Sequence, residues 1–509
     1  MRLNQLKGGA ALSYLNIIFT NVIGLLLTPY IINSLGNSEY GLYTMIGALV
    51  GYLSVLDFGL NNTIIRFVAK FREEKNKKEE ENFLAHSFII YAVISTIIIL
   101  LGIIVYPKIG EIYNKSLSPL ELSKAKIMFA ILIFNLSFSL PGGAFAGICS
   151  GYEEFILPKS IGILKYVVRA IIIFLILSQG GDSISMVILD TVLNLVIIGI
   201  NSLIVFKKLN IKIKLHNFQK KLFKRILGFS IWLFVFALVH QLRWQFGQLI
   251  LGVYFTTTVV AIYAVGITLG NYYGAFSSAI ESVFLPRAMQ MIVQNKKSEE
   301  ITDMFIKISR IILLILLFIL GEFILIGKEF INFWVGNEYS PAYYYALLIM
   351  IGLTPTLSQG FANNILEAKN HLSYRGKLIL TLTILGVVAS IFSAKYLGIL
   401  QMIMATVLFI LLERIIMIPY YIKKADLNML RYYKEVSPLY LGLTVLIIVF
   451  VCGNIFLPEH NIYVVLGNML GFLIMYILLF YILMTSYEKA LVRSSLDRIL
   501  IKFGIKLRK

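Results

Sequence analysis

The feature that most constrains this sequence is a succession of apolar runs that recur along nearly the whole chain. A helix needs ~20 mostly apolar residues to cross the hydrocarbon core of a bilayer. Hydrophobic residues make up 58% of the 509 residues and charged residues only 14%, whereas soluble domains carry about 25% charged residues. A soluble fold could not cover that much apolar surface. The composition therefore predicts an all-α integral membrane protein.

About fourteen of these runs are long enough to be transmembrane helices. Their approximate bounds are 9–33, 41–60, 83–106, 127–149, 160–178, 184–206, 226–251, 257–285, 304–327, 341–365, 374–394, 398–422, 437–457 and 463–484. Turn-forming segments such as Gly180-Gly181-Asp182 and Gly336-Asn337 separate several of them. No small-residue cleavage site follows the first run, so we expect it to be a retained helix rather than a signal peptide.

The basic residues predict which way the helices run. The chain holds 46 lysines and arginines against 27 acidic residues, a net charge of +19. With a cytoplasmic N-terminus, 36 of the 46 cations fall in or beside cytoplasmic loops, as the positive-inside rule requires. The outer loops then contain only Lys108, Lys115, Lys124, Lys126, Lys328 and Lys395. Both termini are therefore predicted to be cytoplasmic, and the basic charge is assigned to topology rather than to nucleic-acid binding.

Short matching segments indicate an internal duplication. Asn76-Lys77-Lys78-Glu79-Glu80 follows the second predicted helix, and Asn295-Lys296-Lys297-Ser298-Glu299-Glu300 follows the eighth. Leu35-Gly36 with Tyr43, and Leu251-Gly252 with Tyr263, recur at nearly the same spacing. The first and seventh helices run in the same direction, so the halves would be parallel repeats, an arrangement that suits alternating access.

The duplication predicts three parts. Residues 1–220 would form an N-terminal six-helix bundle, and residues 221–436 would form a second one. Residues 437–509 would add a C-terminal helical hairpin and a basic cytoplasmic tail.

Polar residues within the predicted helices are candidates for function, because charges at membrane depth are costly unless they face a protein interior or water. Lys165 and Arg169 lie one turn apart on the fifth helix, and Asp190 lies on the sixth. Arg169 and Asp190 could form a structural ion pair instead, and Lys165 could extend to the inner surface. Asp57 lies near the inner end of the second helix, where it could equally be an interfacial residue.

The seventh and eighth helices carry further polar residues. A broad polar face on the seventh comprises His240, Gln241, Arg243, Trp244, Gln245 and Gln248. This face is too wide for simple packing and predicts a cavity lining, although His240 could also be a hydrogen-bonded interior histidine. On the eighth helix, Asn271 and Glu281 share one face, and Glu281 could lie at the inner interface.

Catalytic signatures are lacking in the sequence. The 5 histidines form no recognisable catalytic pairing with carboxylates, and there is no Walker-type phosphate loop. The 2 cysteines, Cys149 and Cys452, lie inside apolar runs, which excludes a disulfide framework or a cysteine-based metal site. We therefore expect no enzyme, no catalytic residue, no cofactor and no metal.

Four segments resemble the signature of Wzx-type polysaccharide flippases, members of the multidrug, oligosaccharidyl-lipid and polysaccharide exporter superfamily. In the first half these are LGNSEYGLY (35–43) and LDFGL (56–60). In the second half they are AIY (261–263) and ESVFLP (281–286). The resemblance extends from the first to about the twelfth helix. It implies a MATE-like fold of two pseudo-symmetric six-helix bundles around a cavity, with an appended C-terminal helix pair.

The same resemblance implies a function. The protein would carry undecaprenyl-diphosphate-linked oligosaccharide units, as in O-antigen synthesis, from the inner to the outer leaflet of the bacterial cytoplasmic membrane. Transport would be by alternating access, coupled to an ion or to the membrane potential, with a polysaccharide polymerase as a partner. Three alternatives remain: a multidrug or cation antiporter of the same superfamily, a peptidoglycan-precursor flippase, and a membrane-embedded sugar polymerase or acyltransferase.

On the flippase hypothesis, cations would bind the diphosphate and polar side chains would contact the glycan. The predicted substrate-binding residues are Arg243, Arg169, Lys165, His240, Gln241, Trp244, Gln245, Gln248 and Asn271. The predicted ion-coupling residues are Asp57, Asp190 and Glu281. A cationic substrate would instead favour an acidic cavity, which the cations of the fifth and seventh helices oppose.

Overall fold

The computed structural model describes residues 2–114, 116–218, 234–369, 371–454 and 462–493. Within these ranges every regular element is a helix. The α-helices are α1 (Arg2–Leu35), α2 (Asn37–Ser54), α3 (Leu60–Glu73), α4 (Lys77–Ile112), α5 (Pro119–Gly151), α6 (Ile156–Ser178), α7 (Ser183–Leu203), α8 (234–244), α9 (Phe246–Tyr254), α10 (Thr257–Val293), α11 (Ser298–Val335), α12 (Pro341–Ser358), α13 (Gly360–Ala368), α14 (Leu372–Tyr396), α15 (Ile399–Ala425), α16 (Met429–Asn454), α17 (Ile462–Leu483) and α18 (486–493).

Most of these helices are long and apolar enough to cross a membrane. Twelve spans meet that description, with α2 and α3 counted as one, and the pair α12 and α13, bent by 42°, makes a thirteenth. They coincide with thirteen of the fourteen predicted runs. The remaining run, 226–251, extends into residues 219–233 and so lies partly outside the described residues. The predicted all-α membrane fold is confirmed, and the chain is a multi-pass membrane protein.

Prolines inside several of the helices do not end them, and at two of these prolines a side chain satisfies the freed backbone group. A proline has no N–H, so the carbonyl four residues earlier loses its helical partner. For Pro141 in α5 that carbonyl belongs to Ser137, and it accepts a hydrogen bond from Ser95 Oγ on α4 at 2.7 Å. For Pro438 in α16, the hydroxyl of the adjacent Ser437 donates to the freed carbonyl at 3.3 Å. Both helices continue because a hydroxyl satisfies the freed backbone group.

The predicted duplication is visible in how matching helices end. Lys75 after α3 and Asn295 after α10 both adopt left-handed conformations, with φ of 54° and 50°. In each case the next N–H donates to the carbonyl five residues back, at 3.0 Å. Asn210 and Asp426, in the turns that follow α7 and α15, have φ of 53° and 56°. In these two turns the N–H of the following residue donates to the carbonyl six residues earlier, at 3.2 and 3.3 Å. The two halves therefore share their helix-terminating turns as well as their helix order.

The chain groups by contacts into two compact units, Met1–Val265 with Gly376–Thr406, and Gly266–Arg375 with Val407–Lys509. In the first unit, α1 packs on α6, and α5 contacts α2, α3, α4 and α7. In the second unit, α11 packs against α12, α16 and α17. The division of the sequence at residues 220 and 436 follows the order of helices along the chain and stays a prediction.

A buried ion pair fastens the C-terminal helices within the second unit. Arg310 on α11 and Glu488 on α18 lie 2.6 Å apart, with side chains only 5% and 2% exposed. Arg310 Nη2 donates to the carbonyl of Leu483, at the end of α17, at 2.8 Å. The N–H of Thr485 donates to Glu488 Oε2 at 2.8 Å. Each charge thus has several partners, which a buried ion pair needs if it is to stabilise the fold.

Arg310→Ala should destabilise the protein by about 3–5 kcal/mol, because it leaves Glu488 buried without its cation. Arg431→Ala is the matched control: Arg431 pairs with Asp303 at 2.6 Å in the same unit, but both side chains are 44% exposed. Exposed pairs contribute at most ~1 kcal/mol. Unfolding in detergent, followed by tryptophan fluorescence, measures both variants. Equal losses would contradict the stabilising role of the buried pair.

The turns after α3 and α10 should be cytoplasmic, and the loops after α6 and α11 should be external, because clusters of basic residues flank the former. In a chain with Cys149 and Cys452 replaced by alanine, cysteines at Lys75 and Lys297 should react with an impermeant maleimide only after the cells are opened. Cysteines at Gln179 and Asn337 should react on intact cells. All four positions are exposed. The opposite labelling pattern would reverse the predicted orientation.

Candidate functional site

Charged side chains meet between α6 and α7, near the middle of both helices. Arg169 Nε donates to Asp190 Oδ1 at 2.5 Å, and Arg169 Nη2 donates to Asp190 Oδ2 at 2.9 Å. Tyr43 on α2 completes the cluster: its hydroxyl accepts from Arg169 Nη2 at 3.4 Å and lies 3.5 Å from Asp190 Oδ2. The Arg169 and Asp190 side chains are 22% and 23% exposed. This is a bidentate pair, the strongest geometry that an arginine and a carboxylate adopt.

One helical turn away, the same two helices are joined by an uncompensated cation. Lys165 Nζ donates to Asn194 Oδ1, and Asn194 Nδ2 donates to Asn135 Oδ1 on α5 at 3.1 Å. Ser139 Oγ also donates to Asn135 Oδ1, at 2.7 Å. Among the described residues, Lys165 forms no ion pair with a carboxylate. We call Lys165, Arg169, Asp190 and Asn194 the α6–α7 ladder.

The α6–α7 ladder carries a surplus positive charge at membrane depth. Asp190 compensates Arg169, whereas Asn194 is neutral and leaves the charge of Lys165 in place. A lysine ammonium has three donors and a flexible stem, so it can exchange an amide for a stronger acceptor. The chemistry that such a group favours is an anion with several oxygen atoms, such as a phosphate.

The predicted polar face of the seventh helix is divided between two helices, because the helical pattern breaks at Gln245 between α8 and α9. On α8, Gln241 is tied to α2 in both directions. Its Nε2 donates to the Gly51 carbonyl at 2.7 Å, and Tyr52 OH donates to the Gln241 carbonyl at 2.9 Å. Arg243 Nε donates to Thr383 Oγ1 on α14 at 2.9 Å. Arg243 therefore has a local partner of its own, on a different helix from those of Arg169.

The other polar residues of α8 and α9 differ in their exposure. His240 is exposed, and Trp244 and Gln245 are partly exposed. Gln248 is only 5% exposed, and its Oε1 has no hydrogen-bond partner among the described residues. An orphan acceptor of this kind is costly, so Gln248 is a candidate for contact with a ligand hydroxyl.

The remaining predicted residues belong to elements other than α6 and α7. Asp57 is at the turn where α2 ends, between the helical residue Val55 and the left-handed Phe58, and Tyr91 OH donates to its Oδ1 at 2.9 Å. Asn271 is exposed on α10, in the second unit. Glu281 is also on α10, but its side chain lies outside the described residues.

Several participants were not predicted from the sequence as site residues. Tyr43, Asn135, Ser139, Asn194 and Thr383 all bond directly to predicted residues or to one another. For Asn194 a signal existed, since it lies one turn from Asp190 just as Lys165 lies one turn from Arg169. Thr383 gave no signal, because a threonine in an apolar helix usually bonds to its own backbone.

Comparison with known proteins gives matches of three kinds. The family model described as "Polysaccharide biosynthesis protein" matches residues 6–292, more than half of the chain. A Shigella flexneri protein named "Putative O-antigen transporter" is 24% identical over 270 residues, which cover 51% of this chain and 60% of that protein. The match therefore spans less than two thirds of the relative's length.

Solved structures match over most of the chain. Lipid II flippase MurJ, in its inward closed conformation, has a TM-score of 0.70 at 14% identity and covers 95% of this chain and 99% of its own. The Vibrio cholerae MATE transporter VcmN, in its bent form, has a TM-score of 0.56 at 12% identity and covers 84% and 98%. At such identities the likeness concerns the fold alone. The sequence resemblance and the MATE-like fold are confirmed.

The Arg169–Asp190 pair should be strongly coupled in a double-mutant cycle. Arg169→Ala or Asp190→Ala alone leaves the other charge unpaired at membrane depth, so the double variant should lose less stability than the sum of the two. We expect a coupling free energy of about 1–3 kcal/mol in detergent unfolding. The control is Lys70–Glu74 on α3, an exposed pair 3.6 Å apart, for which about 0.3–0.5 kcal/mol is typical. Additive losses at Arg169 and Asp190 would contradict the coupling.

Proposed function

Since the chain belongs to the polysaccharide biosynthesis protein family, we propose that it moves undecaprenyl-diphosphate-linked oligosaccharide units from the inner to the outer leaflet of the bacterial cytoplasmic membrane. The observation that carries this proposal is the surplus positive charge of the α6–α7 ladder. A diphosphate bears about two negative charges, and moving it bare through hydrocarbon would cost tens of kcal/mol. A cation held at mid-span lowers that cost by replacing water around the phosphate oxygens.

Lys165 is the residue that we expect to bind the diphosphate. In the structure its ammonium donates to Asn194, a neutral acceptor that a phosphate oxygen can outcompete. Arg169 stays paired with Asp190 and contributes orientation more than net charge. Arg243, on α8, would supply a second cation, with Thr383 holding its guanidinium in place.

Polar groups of α8, α9 and α10 would contact the glycan. The orphan Oε1 of Gln248 can accept a bond from a sugar hydroxyl, and the side-chain oxygen of Gln241 can do the same while its amide holds Gly51. His240, Trp244, Gln245 and Asn271 complete the proposed set. The lipid tail would stay in the bilayer, where its transfer costs nothing.

Coupling and cellular context are further parts of the proposal. Asp57, Asp190 and Glu281 remain the proposed carriers of a coupling ion, since carboxylates in transporter interiors commonly form such relays. The proposed location is the inner membrane with both termini cytoplasmic, and a polysaccharide polymerase is the proposed partner. We assign no catalytic residue, cofactor or metal.

Two alternatives predict different behaviour. A cation antiporter would attract positive substrates, which the charge of Lys165 opposes. A sugar polymerase or acyltransferase would leave unpolymerised units accessible in the outer leaflet when the gene is deleted. A peptidoglycan-precursor flippase would use the same anion chemistry and differs in the glycan that accumulates.

Deletion of the gene should trap undecaprenyl-linked oligosaccharide in the inner leaflet, where a membrane-impermeant glycosidase added to spheroplasts cannot reach it. Restoring the intact gene should release this pool. An accessible pool in the deletion strain would mean that transport proceeds without this protein, and would favour the polymerase alternative. A trapped pool composed of peptidoglycan precursor would favour the peptidoglycan-precursor flippase.

Lys165→Gln should reduce the rate at which the pool is released by roughly tenfold or more, because one charge-assisted contact to the diphosphate is lost. Lys165→Arg keeps the charge and should retain most transport. The matched control is Lys207→Gln, which removes the charge of an exposed lysine beyond the end of α7, outside the α6–α7 ladder, and should leave release unchanged. Normal release by Lys165→Gln, or a greater loss in the control than in Lys165→Gln, would contradict the role of the surplus charge.

A further inference from the structure

At one end of the first unit, the starts of α2, α5 and α10 meet around a single carboxylate. Glu121 Oε1 accepts hydrogen bonds from Ser38 Oγ on α2 and, at 2.9 Å, from Thr257 Oγ1 on α10. The two hydroxyl oxygens are themselves 2.9 Å apart. Glu121 Oε2 accepts hydrogen bonds from the N–H and the hydroxyl of Ser118, both at 2.8 Å. These bonds form part of the capping box at the start of α5. We call Ser38, Glu121 and Thr257 the latch.

Backbone contacts below the latch are close. A Cβ atom on Gly41 would lie 1.8 Å from the Thr257 carbonyl oxygen and 3.1 Å from the backbone nitrogen of Ala261. A Cβ atom on Gly252, just before the α9–α10 turn, would lie 2.2 Å from Met45 Sδ on α2. Glycine is thus required at position 41, where the obstacle is backbone, whereas a side chain at position 252 would displace the flexible side chain of Met45.

The latch joins positions that the duplication relates. Ser38 and Thr257 are 219 residues apart, close to the spacing that relates Tyr43 to Tyr263. Glu121, however, has no carboxylate counterpart. It follows Ser118-Pro119, and the matching Ser340-Pro341 is followed by Tyr343, whose hydroxyl donates to a carbonyl on α11 at 2.9 Å. Among the described residues, Glu121 is therefore the only carboxylate that accepts hydrogen bonds from both of these related hydroxyls, and it belongs to the first half of the sequence.

Neighbouring ion pairs stabilise α2, α5 and α7 against one another, whereas the start of α10 is bonded to Glu121 through a neutral hydroxyl. Lys124 on α5 lies 2.9 Å from Glu39 on α2 and 3.2 Å from Asp182 at the start of α7. Partial burial alone would raise the pKa of Asp182, but hydrogen bonds from Ser185 and Lys124 outweigh it and lower that pKa, so the carboxylate stays ionised. By contrast, the bonds from the latch to α10 involve the neutral hydroxyl of Thr257.

We propose that Glu121 is a gating residue: its bonds to Ser38 and Thr257 hold this end of the first unit closed, and they break when the end opens during transport. The inference rests on the proposed transport function. A cleft of about 420 Å³ beside the latch is lined by Leu35, Ser38, Leu120 and Glu121, among others. Water in this cleft can replace the hydroxyls as donors to Glu121, so the latch can open at modest cost.

Thiol labelling tests the latch without any substrate. Ala261 is fully buried beneath it, and Ala261→Cys is the reporter in purified full-length protein with Cys149 and Cys452 replaced by alanine. We expect little reaction with a hydrophilic maleimide when the latch is intact. Thr257→Val removes the hydroxyl at nearly constant volume and should accelerate labelling by roughly tenfold, the change expected when a hydrogen bond to a charged group is lost. Thr257→Ser restores the hydroxyl and should restore slow labelling.

Glu111→Gln is the matched control, because Glu111 is an exposed carboxylate at the end of α4, outside the latch. It should leave labelling unchanged, whereas Glu121→Gln should accelerate it. Equal labelling of the Thr257→Val and unaltered chains would overturn the proposal, as would rapid labelling of the reporter in the unaltered chain. These outcomes do not depend on what the protein transports.

A disulfide tests whether opening is needed for transport. Ser38→Cys with Thr257→Cys places two thiols where the hydroxyl oxygens are 2.9 Å apart. Oxidation should form the bond and stop release of the oligosaccharide pool, and a reductant should restore release. If the disulfide fails to form, or if release stays normal after it forms, the proposed gating role of Glu121 is contradicted. If deleting the gene traps no pool, the proposed function fails, and the labelling result still decides whether the latch exists.

Discussion

The ion pair between Arg169 and Asp190 joins α6 to α7 at a depth where neither charge could be left alone. The same requirement explains why Asn194 holds Lys165, why Asn135 holds Asn194, and why Ser95 reaches the carbonyl freed by Pro141. In water each of these groups would have an alternative partner. In the membrane interior each must find one in the protein, and the helices are positioned accordingly.

The candidate functional residues are those whose pairing is incomplete. The α6–α7 ladder compensates one of its two cations and leaves the charge of Lys165 on a neutral amide. Gln248 is buried with an acceptor that has no partner among the described residues. A protein selected only for stability would remove such groups or pair them. Their presence at membrane depth, in a chain of the polysaccharide biosynthesis protein family, is what supports the proposed transport of an anionic, hydroxyl-rich substrate.

The duplication shows how two similar halves acquire different roles. The turns after α3 and α10, and those after α7 and α15, have the same left-handed residue and the same hydrogen bonds. The equivalence ends at Glu121, because the matching position is Tyr343. The hydroxyls of Ser38 and Thr257 both donate to Glu121. The difference between Glu121 and Tyr343 is therefore enough to make the contact between Ser38 and Thr257 depend on a charge.

The helix count, the all-α class and the repeat could be predicted from the sequence because they depend on local composition. A helix in lipid satisfies its own backbone, so a run of ~20 apolar residues is sufficient to predict a span. The positions of Lys165, Arg169 and Asp190 on facing helices could also be anticipated, since one-turn spacing sets the face of a helix. The break at Gln245 was not predicted, because the single glycine beside it, Gly247, is tolerated within a helical pattern.

What only the tertiary structure decided is which polar group each side chain meets. The sequence by itself determined that the chain spans a membrane many times and carries buried cations. It did not determine that Asp190 neutralises Arg169 while Lys165 keeps its charge, that Arg243 bonds Thr383, or that Ser38 and Thr257 share Glu121. Those partners lie far apart along the chain, and their meeting depends on how the helices pack, which composition and periodicity do not specify.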